Sequence, residues 1–389
     1  MNADCNRELT ELLTGEIDKG LLPGAAIAVY QNGKEMESAF LGYRDMERKL
    51  PIERDTIFRI YSMTKPVTAV AAKILQERGL LHAEDPVSLY LQEFASCNVL
   101  VKGELVPLER EIRISDLLTM TSGLVYPDCD EAGSRMQEIF DDIHRKIQNG
   151  TPYRTRQIMQ KIAESPLAFQ PGKRWRYGLS TDVLGGVIEV IAGVTLREFY
   201  HKEIFEPLKM TDTDFYVPTE KQNRLACLYK RENGNLLIDE ERHLGLDYGL
   251  VPPAFESAGA GLYSTMEDYS KFVRMLAGKG CFDGARILSE KSILSFQQNG
   301  LTNRQRETVD FDQLAGFGYG NFMRVRMEDE IIPGKGIEGE FGWDGWTGPY
   351  FTVDLTHQFT FLYMVQISAC DDWELIWKLH NIIYHHYPL

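Results

Sequence analysis

Apolar residues at helical spacing open the chain. Leu9, Leu12, Leu13 and Ile17 fall on one face of a helix over residues 7–19, and Gly20 stops it. The period then shortens: residues 25–30 and 35–43 read as two strands, joined through Asn32-Gly33, the dipeptide that suits a tight hairpin turn. A second helix begins near Ser62, carries Val67, Ala71, Ile74 and Leu75 on its apolar side, and ends at Gly79 in the usual place of a left-handed cap. Residues 98–114 read as a short hairpin with Lys102-Gly103 near its tip, and Ser115 caps a short helix that ends at Gly123. From about 131 to 206 the pattern is mostly helical, including residues 182–192 and 196–205. A loop of small residues, 257–265, leads into a helix over 266–276. After Phe317 the period returns to two, with strands expected at 319–325, 337–343, 350–354 and 359–368, and an amphipathic helix closes the chain from Asp371 to about Tyr384.

Sheet and helix at both ends of a helical middle predict an α/β (α+β) fold. Residues 1–80 and 285–389 are expected to form one lobe, an antiparallel sheet with the N- and C-terminal helices, and residues 81–284 a mostly helical lobe, with one site between them. A chain of 389 residues can bury a large core.

Composition removes several function classes. Forty-three per cent hydrophobic and 25% charged residues describe a globular protein and exclude disorder. A net charge of −15, with the acids dispersed, disfavours nucleic acid or an anionic membrane as a partner. The sequence has no apolar run long enough to span a bilayer, and the polar stretch Met1–Glu8 has no hydrophobic signal region, so a cytoplasmic protein is expected. Cys5, Cys97, Cys129, Cys227, Cys281 and Cys370 are scattered without a C-x-x-C pair, which predicts reduced thiols, no metal site and no cofactor.

Three stretches carry chemistry. In Ser62-Met63-Thr64-Lys65-Pro66, a serine and a lysine three residues apart fall together on the first turn of the second helix, which sets a hydroxyl beside an amine. A serine needs such a neighbour to take its proton before it can attack a carbonyl. Pro66 fits this register, because a helix's first turn loses nothing through a missing N–H. In Arg176-Tyr177-Gly178-Leu179, a tyrosine at a loop-to-helix junction can present its phenol to a cleft; near a lysine ammonium its pKa falls from about 10, which suits a general base. In Trp343-Asp344-Gly345-Trp346, glycine beside a strand marks close approach, and the strand edge could offer an N–H to an acyl oxyanion.

Each stretch alone has an ordinary structural explanation, but their order and spacing together resemble the serine β-lactamase-like and penicillin-binding-protein-like superfamily. The resemblance is to its class C β-lactamase, DD-peptidase and family VIII-type carboxylesterase side, whose β-lactamase/transpeptidase-like fold it implies. Leu117-Leu118-Thr119-Met120-Thr121-Ser122-Gly123-Leu124 and the Ser257–Thr265 loop are similar to two further landmarks of that group. The resemblance implies that Ser62 attacks the substrate carbonyl and becomes acylated, with Lys65 and Tyr177 moving protons; which of the two is the principal base is left open. It implies an oxyanion hole from the backbone N–H groups of Ser62 and Trp346, and substrate contacts from Leu179, Trp343, Asp344 and Gly345.

Two departures bear on substrate. Class C enzymes have Tyr-x-Asn where this chain ends in Leu179, and Lys-Thr-Gly where it has Trp343-Asp344-Gly345, so an amide and a cation are missing and an acid is added. A serine carboxylesterase acting on small uncharged esters is therefore expected. The alternatives are a weak β-lactamase or DD-peptidase-like protein, with Arg324 or Arg326 replacing the cation, and a non-catalytic binding or scaffold member of the fold. Specificity is expected in the loops 129–153 and 228–252, and the oligomeric state is not assigned. Gly334 to Gly339 fits G-x-G-x-x-G but leads into a strand pattern, which argues against a dinucleotide site. His380, His385 and His386 are expected at the end of the last helix, facing its dipole.

Overall fold

The hairpin at Asn32-Gly33 joins the sixth and seventh strands of an eight-stranded sheet. Both turn residues have positive φ, 50° and 72°, as the tightest hairpin turn requires. The computed structural model describes residues 3–240, 243–245, 249–327 and 331–387. Parts of the expected specificity loop 228–252 (residues 241–242 and 246–248) and the first two residues of the polar N-terminal stretch lie outside the described residues.

Eight antiparallel strands form the main sheet: β1 (Gly24–Gln31), β2 (Lys34–Asp45), β3 (Leu50–Pro51), β4 (Gly318–Gly320), β5 (Met323–Val325), β6 (Phe341–Asp344), β7 (Tyr350–Asp354) and β8 (Phe359–Met364), in the order β4-β5-β6-β7-β8-β1-β2-β3. The two ends of the chain therefore meet where β1 pairs with β8, with Ala28 opposite Leu362. Strand β1 is buried on both faces, and its side chains divide by parity. Ala25, Ile27 and Val29 join a layer with α1 (Ala3–Asp18) and the C-terminal helix, through Leu9, Leu13, Leu379 and Ile383. Ala26, Ala28 and Tyr30 join the larger core on the other face, which includes α2 (Thr64–Glu77), α3 (Glu131–Gln148), α4 (Thr155–Glu164), α5 (Ser180–Ala192) and α6 (Met266–Ala277). The C-terminal helix, α7, spans Trp373–His386.

Several elements differ from expectation. Strand β6 covers only the end of the run expected at 337–343, and β8 stops at Met364. The small-residue loop ends in a short strand, Tyr263–Thr265, that pairs with Ile57–Arg59 and so ties the loop to the approach of Ser62. Helix α6, grouped by sequence with the helical region, packs on the sheet, where Tyr269 meets Phe351 with ring centroids 5.7 Å apart. The short helix around Ser115 begins one residue earlier, at Ile114. Its start is satisfied by Asp116, which accepts from the Arg113 N–H at 2.8 Å, so Ser115 is not the cap.

His380 is the clearest correction. It sits within α7, fully buried, and its Nδ1 and Nε2 meet the Lys335 carbonyl at 3.0 Å and the Tyr350 hydroxyl at 2.7 Å. A carbonyl only accepts, so Nδ1 carries the proton and Nε2 accepts from the phenol. Among the described residues, no helix is long and apolar enough to cross a membrane and no cluster of side chains could hold a metal ion. All six cysteines are free.

Candidate active site

Ser62 stands on a 3-10 turn, Tyr61–Met63, that runs directly into α2; Lys65 belongs to the helix and Ser62 to the turn before it. The three-residue spacing still brings them together, because residues three apart eclipse in a 3-10 turn. Lys65 Nζ donates to Ser62 Oγ at 3.0 Å. Neighbouring segments hold the turn: the Tyr269 phenol donates to Met63 O at 2.8 Å, the Leu262 N–H to Thr64 Oγ1 at 3.0 Å, and Thr347 Oγ1 to Arg59 O at 2.8 Å. Tyr61, just before the serine, has a φ of 41°, in the left-handed region that side chains other than glycine rarely occupy.

The lysine is completely buried and its Nζ has two further acceptors, the Gly259 carbonyl at 2.8 Å and the Tyr126 hydroxyl at 3.3 Å. Burial pulls its pKa down to about 7, against the opposing charges of Asp182 and Asp344. Much of it is therefore a free amine at neutral pH. Asp182, in the first turn of α5, is itself buried and accepts from Ser257 Oγ at 2.7 Å and from the Gly259 N–H at 3.1 Å. A side chain at Gly259 would meet the Asp182 carboxylate at 2.6 Å, so only glycine can turn its carbonyl onto Lys65 here.

Tyr177 is where it was expected, with its ring centroid 4.7 Å from Lys65 Nζ. Its acidity is not as expected. Burial raises its pKa, Asp344 and Asp182 add to the rise, and hydrogen bonds with Ser62 and Trp343 only partly oppose it. The reason is its aromatic setting, since Phe311, Tyr126 and Trp343 lie at ring centroids of 5.1, 5.7 and 5.7 Å, and a phenolate there would lose its hydration. Tyr177 is thus a neutral phenol that accepts from Trp343 Nε1 at 3.3 Å. Gly178 lets this loop approach the Leu124 carbonyl, which a Cβ would meet at 2.1 Å.

Beyond β6, Gly345 packs against the serine turn so closely that a Cβ would lie 2.4 Å from Ile60 O. This contact carries the next residue, Trp346, to the turn, where its ring meets Tyr61 edge-on at 5.2 Å and stacks on His243 at 3.9 Å. Among the described residues, neither the Ser62 N–H nor the Trp346 N–H donates to a protein acceptor. His243 is neutral, its pKa brought down to about 4 by burial and by the charge of Lys65.

Asp344 accepts from Arg324 Nη1 at 3.0 Å, and burial pushes its carboxyl up to about 6 against the pull of Arg324 and Lys65. Arg324 is buried beneath it, with Nη2 on Phe351 O at 3.0 Å and its guanidinium 4.2 Å over the Tyr350 ring. Arg326 donates to Gly334 O at 2.7 Å. Neither arginine lines the cavity in front of Ser62, so the replacement cation considered from sequence is not in place. That cavity, of about 870 Å³, is walled by Tyr126, Tyr177, Trp343, Trp346, Trp373 and Trp377 among others, and its charged lining residues among the described ones are Asp312, Asp344 and Asp371.

The structure thus assembles Ser62, Lys65, Tyr177, Trp343, Asp344, Gly345 and Trp346 around one cavity. Leu179 is the exception: it is buried and does not line this cavity. Tyr126, Asp182, Gly259 and His243 escaped the sequence reading, although the landmark ending at Leu124 and the Ser257–Thr265 loop lead directly to the first and third.

An antiparallel sheet layered between helices, with a serine–lysine pair at the entry to the helix beneath it, defines a β-lactamase/transpeptidase-like fold. The chain belongs to the beta-lactamase family, whose model matches residues 9–379, and it is a hydrolase of that fold. It is 35% identical to an uncharacterised protein of Mycobacterium tuberculosis over 90% of this chain and 87% of that one. To the lovastatin esterase of Penicillium rubens it is 30% identical, over 85% of this chain and 83% of the other. Among solved structures it superposes with a TM-score of 0.81 on EstCE1, described as a hydrolase with promiscuous acyltransferase activity, at 22% identity over 98% of both chains. The last comparison shows the fold alone.

Proposed function

We propose that the protein is a serine carboxylesterase that acylates Ser62 with the acyl group of small, uncharged esters and then releases it to water. The observation that carries this reading is the contact of Ser62 Oγ with a fully buried lysine whose pKa lies near neutrality, at a cavity whose lining holds no arginine or lysine among the described residues. Lys65, as the free amine, takes the Ser62 proton while Oγ adds to the ester carbonyl. The oxyanion forms against the two unpaired N–H groups of Ser62 and Trp346. Tyr177, a protonated phenol, hands its proton to the departing alkoxide and regains one from the Lys65 ammonium. A water then adds to the acyl-enzyme, loses its proton to the amine, and the carboxylic acid leaves as Ser62 is reprotonated. Lys65 is the principal base in this scheme, because Tyr177 has no accessible phenolate. The relationship to lovastatin esterase supports an ester substrate, and the Asp344–Arg324 pair argues against a carboxylate-bearing one.

The test compares p-nitrophenyl butyrate with a chromogenic cephalosporin, using wild type and Ser62→Ala. Ester turnover that falls at least about a thousandfold in the variant, with little cephalosporin turnover in either, is the expected result. A cephalosporin that outperforms the ester would make the protein a β-lactamase. Ester turnover that survives the substitution would remove Ser62 from the mechanism.

A further inference from the structure

Leu179 opens onto a second cavity that the reaction above leaves unused. It measures about 320 Å³ and lies between α3, α4 and residues 251–255. Ile143 and Ile147 of α3, Ile158 and Ile162 of α4, Leu179 and Phe255 supply most of its wall. The phenol of Tyr153, at its edge, already donates to Asp142 at 2.9 Å. Gly150, Val251, Pro252 and Ala254 at its rim are exposed, so it is a pocket open on one side, with an apolar interior that suits an apolar group of a ligand.

Its position ties it to the reaction. Phe140 and Leu244 line both this cavity and the one in front of Ser62, so the two spaces share a wall. Leu179 is two residues from Tyr177, which fixes the cavity's distance from the reacting centre. Leu244 holds a φ of 55°, an uncommon conformation for a residue with a branched side chain, at the point where the two spaces adjoin.

We propose that the second cavity binds the aliphatic arm of the ester substrate, entered from Ser62 past Phe140 and Leu244, and that it gives the enzyme a preference for medium-chain over short-chain esters. The proposal rests on the esterase reading and names its substrate class. Its volume is that of about ten water-sized groups, which a chain of eight or so carbons fills. Among the described residues no charged side chain lines it, which suits an arm without a polar end.

The experiment measures kcat/KM for p-nitrophenyl octanoate against butyrate, and for octyl against butyl acetate, in wild type, Ile147→Trp and Ile143→Trp. Both substituted positions are half-buried on α3, so a larger ring fills the cavity without breaking the core. Each methylene taken from water is worth up to about fourfold, so the octyl-to-butyl ratio is expected to exceed tenfold in wild type and to fall at least tenfold in the filled variants. The series that responds identifies the arm as acyl or alcohol. A wild-type ratio near one in both series, or a ratio that persists in both variants, overturns the inference; the esterase reading then stands if the short ester still depends on Ser62. Should no ester be hydrolysed, the shift in Tm with 1-octanol against 1-butanol decides. A shift lost in the filled variants keeps the apolar site while the esterase reading falls, and no shift in wild type removes both.

Discussion

In the proposed reaction Lys65 acts at neutral pH because nothing pays for its charge in full: its amine has three hydrogen-bond acceptors, but the nearby carboxylates are themselves desolvated. The active form is the neutral amine, and the group's pKa is lowered to about 7. Ester kcat/KM is therefore expected to rise with pH through about 7 and to level above it, in a profile measured with p-nitrophenyl butyrate. A plateau extending unchanged to pH 5 would contradict the role given to Lys65. Asp344 acts on the same quantity from the other side. Asp344→Asn removes a negative charge that favours the ammonium, so the acid limb of the profile moves to lower pH. It also uncovers the buried charge of Arg324, and kcat/KM for a carboxylate-bearing ester should gain about three- to tenfold over the neutral one. An unmoved limb and an unchanged ratio would show that Asp344 is electrostatically silent.

At the scale of elements, the site depends on how closely β6 and its following turn approach the segment that starts α2. Gly345 permits that approach, and the Thr347 hydroxyl on Arg59 O fastens it. Gly345→Ala inserts a methyl 2.4 Å from Ile60 O, so the strand end and the Ser62 turn must part. The expected loss is about a hundredfold in kcat, because a shift near 1 Å misplaces reacting groups by that much. The accompanying loss of stability is about 1–3 kcal/mol. Comparing single-turnover kinetics with a urea-unfolding curve separates the two, and full activity would mean the proposed oxyanion site does not rely on this contact. Helix entry and hairpin turn were both legible in the sequence, because Asn32-Gly33, Pro66 and Gly79 act within a few residues. The length of β6 was not legible. Strand ends are set by the partner strand, and β5 pairs only Arg324 and Val325 with it.

Across the whole molecule, the outer layer formed by α1 and α7 closes the sheet by burying a histidine that must stay neutral. His380 is held by Tyr350 and Lys335 O, with Arg324 and Arg326 adding positive charge nearby, and Glu340 and Tyr384 packed on the same side. Its pKa falls to about 3 from an unfolded value of 6.5. The unfolded chain therefore binds a proton that the folded one refuses as pH drops below 6.5, and stability present above that value is lost toward about 3. Between pH 7.5 and 5, wild type should lose about 2 kcal/mol more than His380→Gln in urea unfolding. Equal losses in the two proteins would show that His380 titrates normally.

The sequence by itself determined what chain connectivity controls over short spans: the serine–lysine pair at a helix entry, the Asn32-Gly33 hairpin, the tyrosine beside a glycine, and the motif order that places the chain in its family. Tertiary structure decided everything that depends on what distant segments bring together. It made Tyr177 a neutral phenol by enclosing it in aromatic rings, paired Asp344 with an arginine twenty residues earlier, and sent Leu179 to a separate cavity. Tyr126 and Gly259 reached Lys65 from two different loops, and Asp182, on a helix, holds Gly259 and adds its charge. Spacing fixes which atoms can touch within a turn of helix, but dielectric, charge and cavity shape belong to the packed molecule, and these set the protonation states on which the chemistry rests.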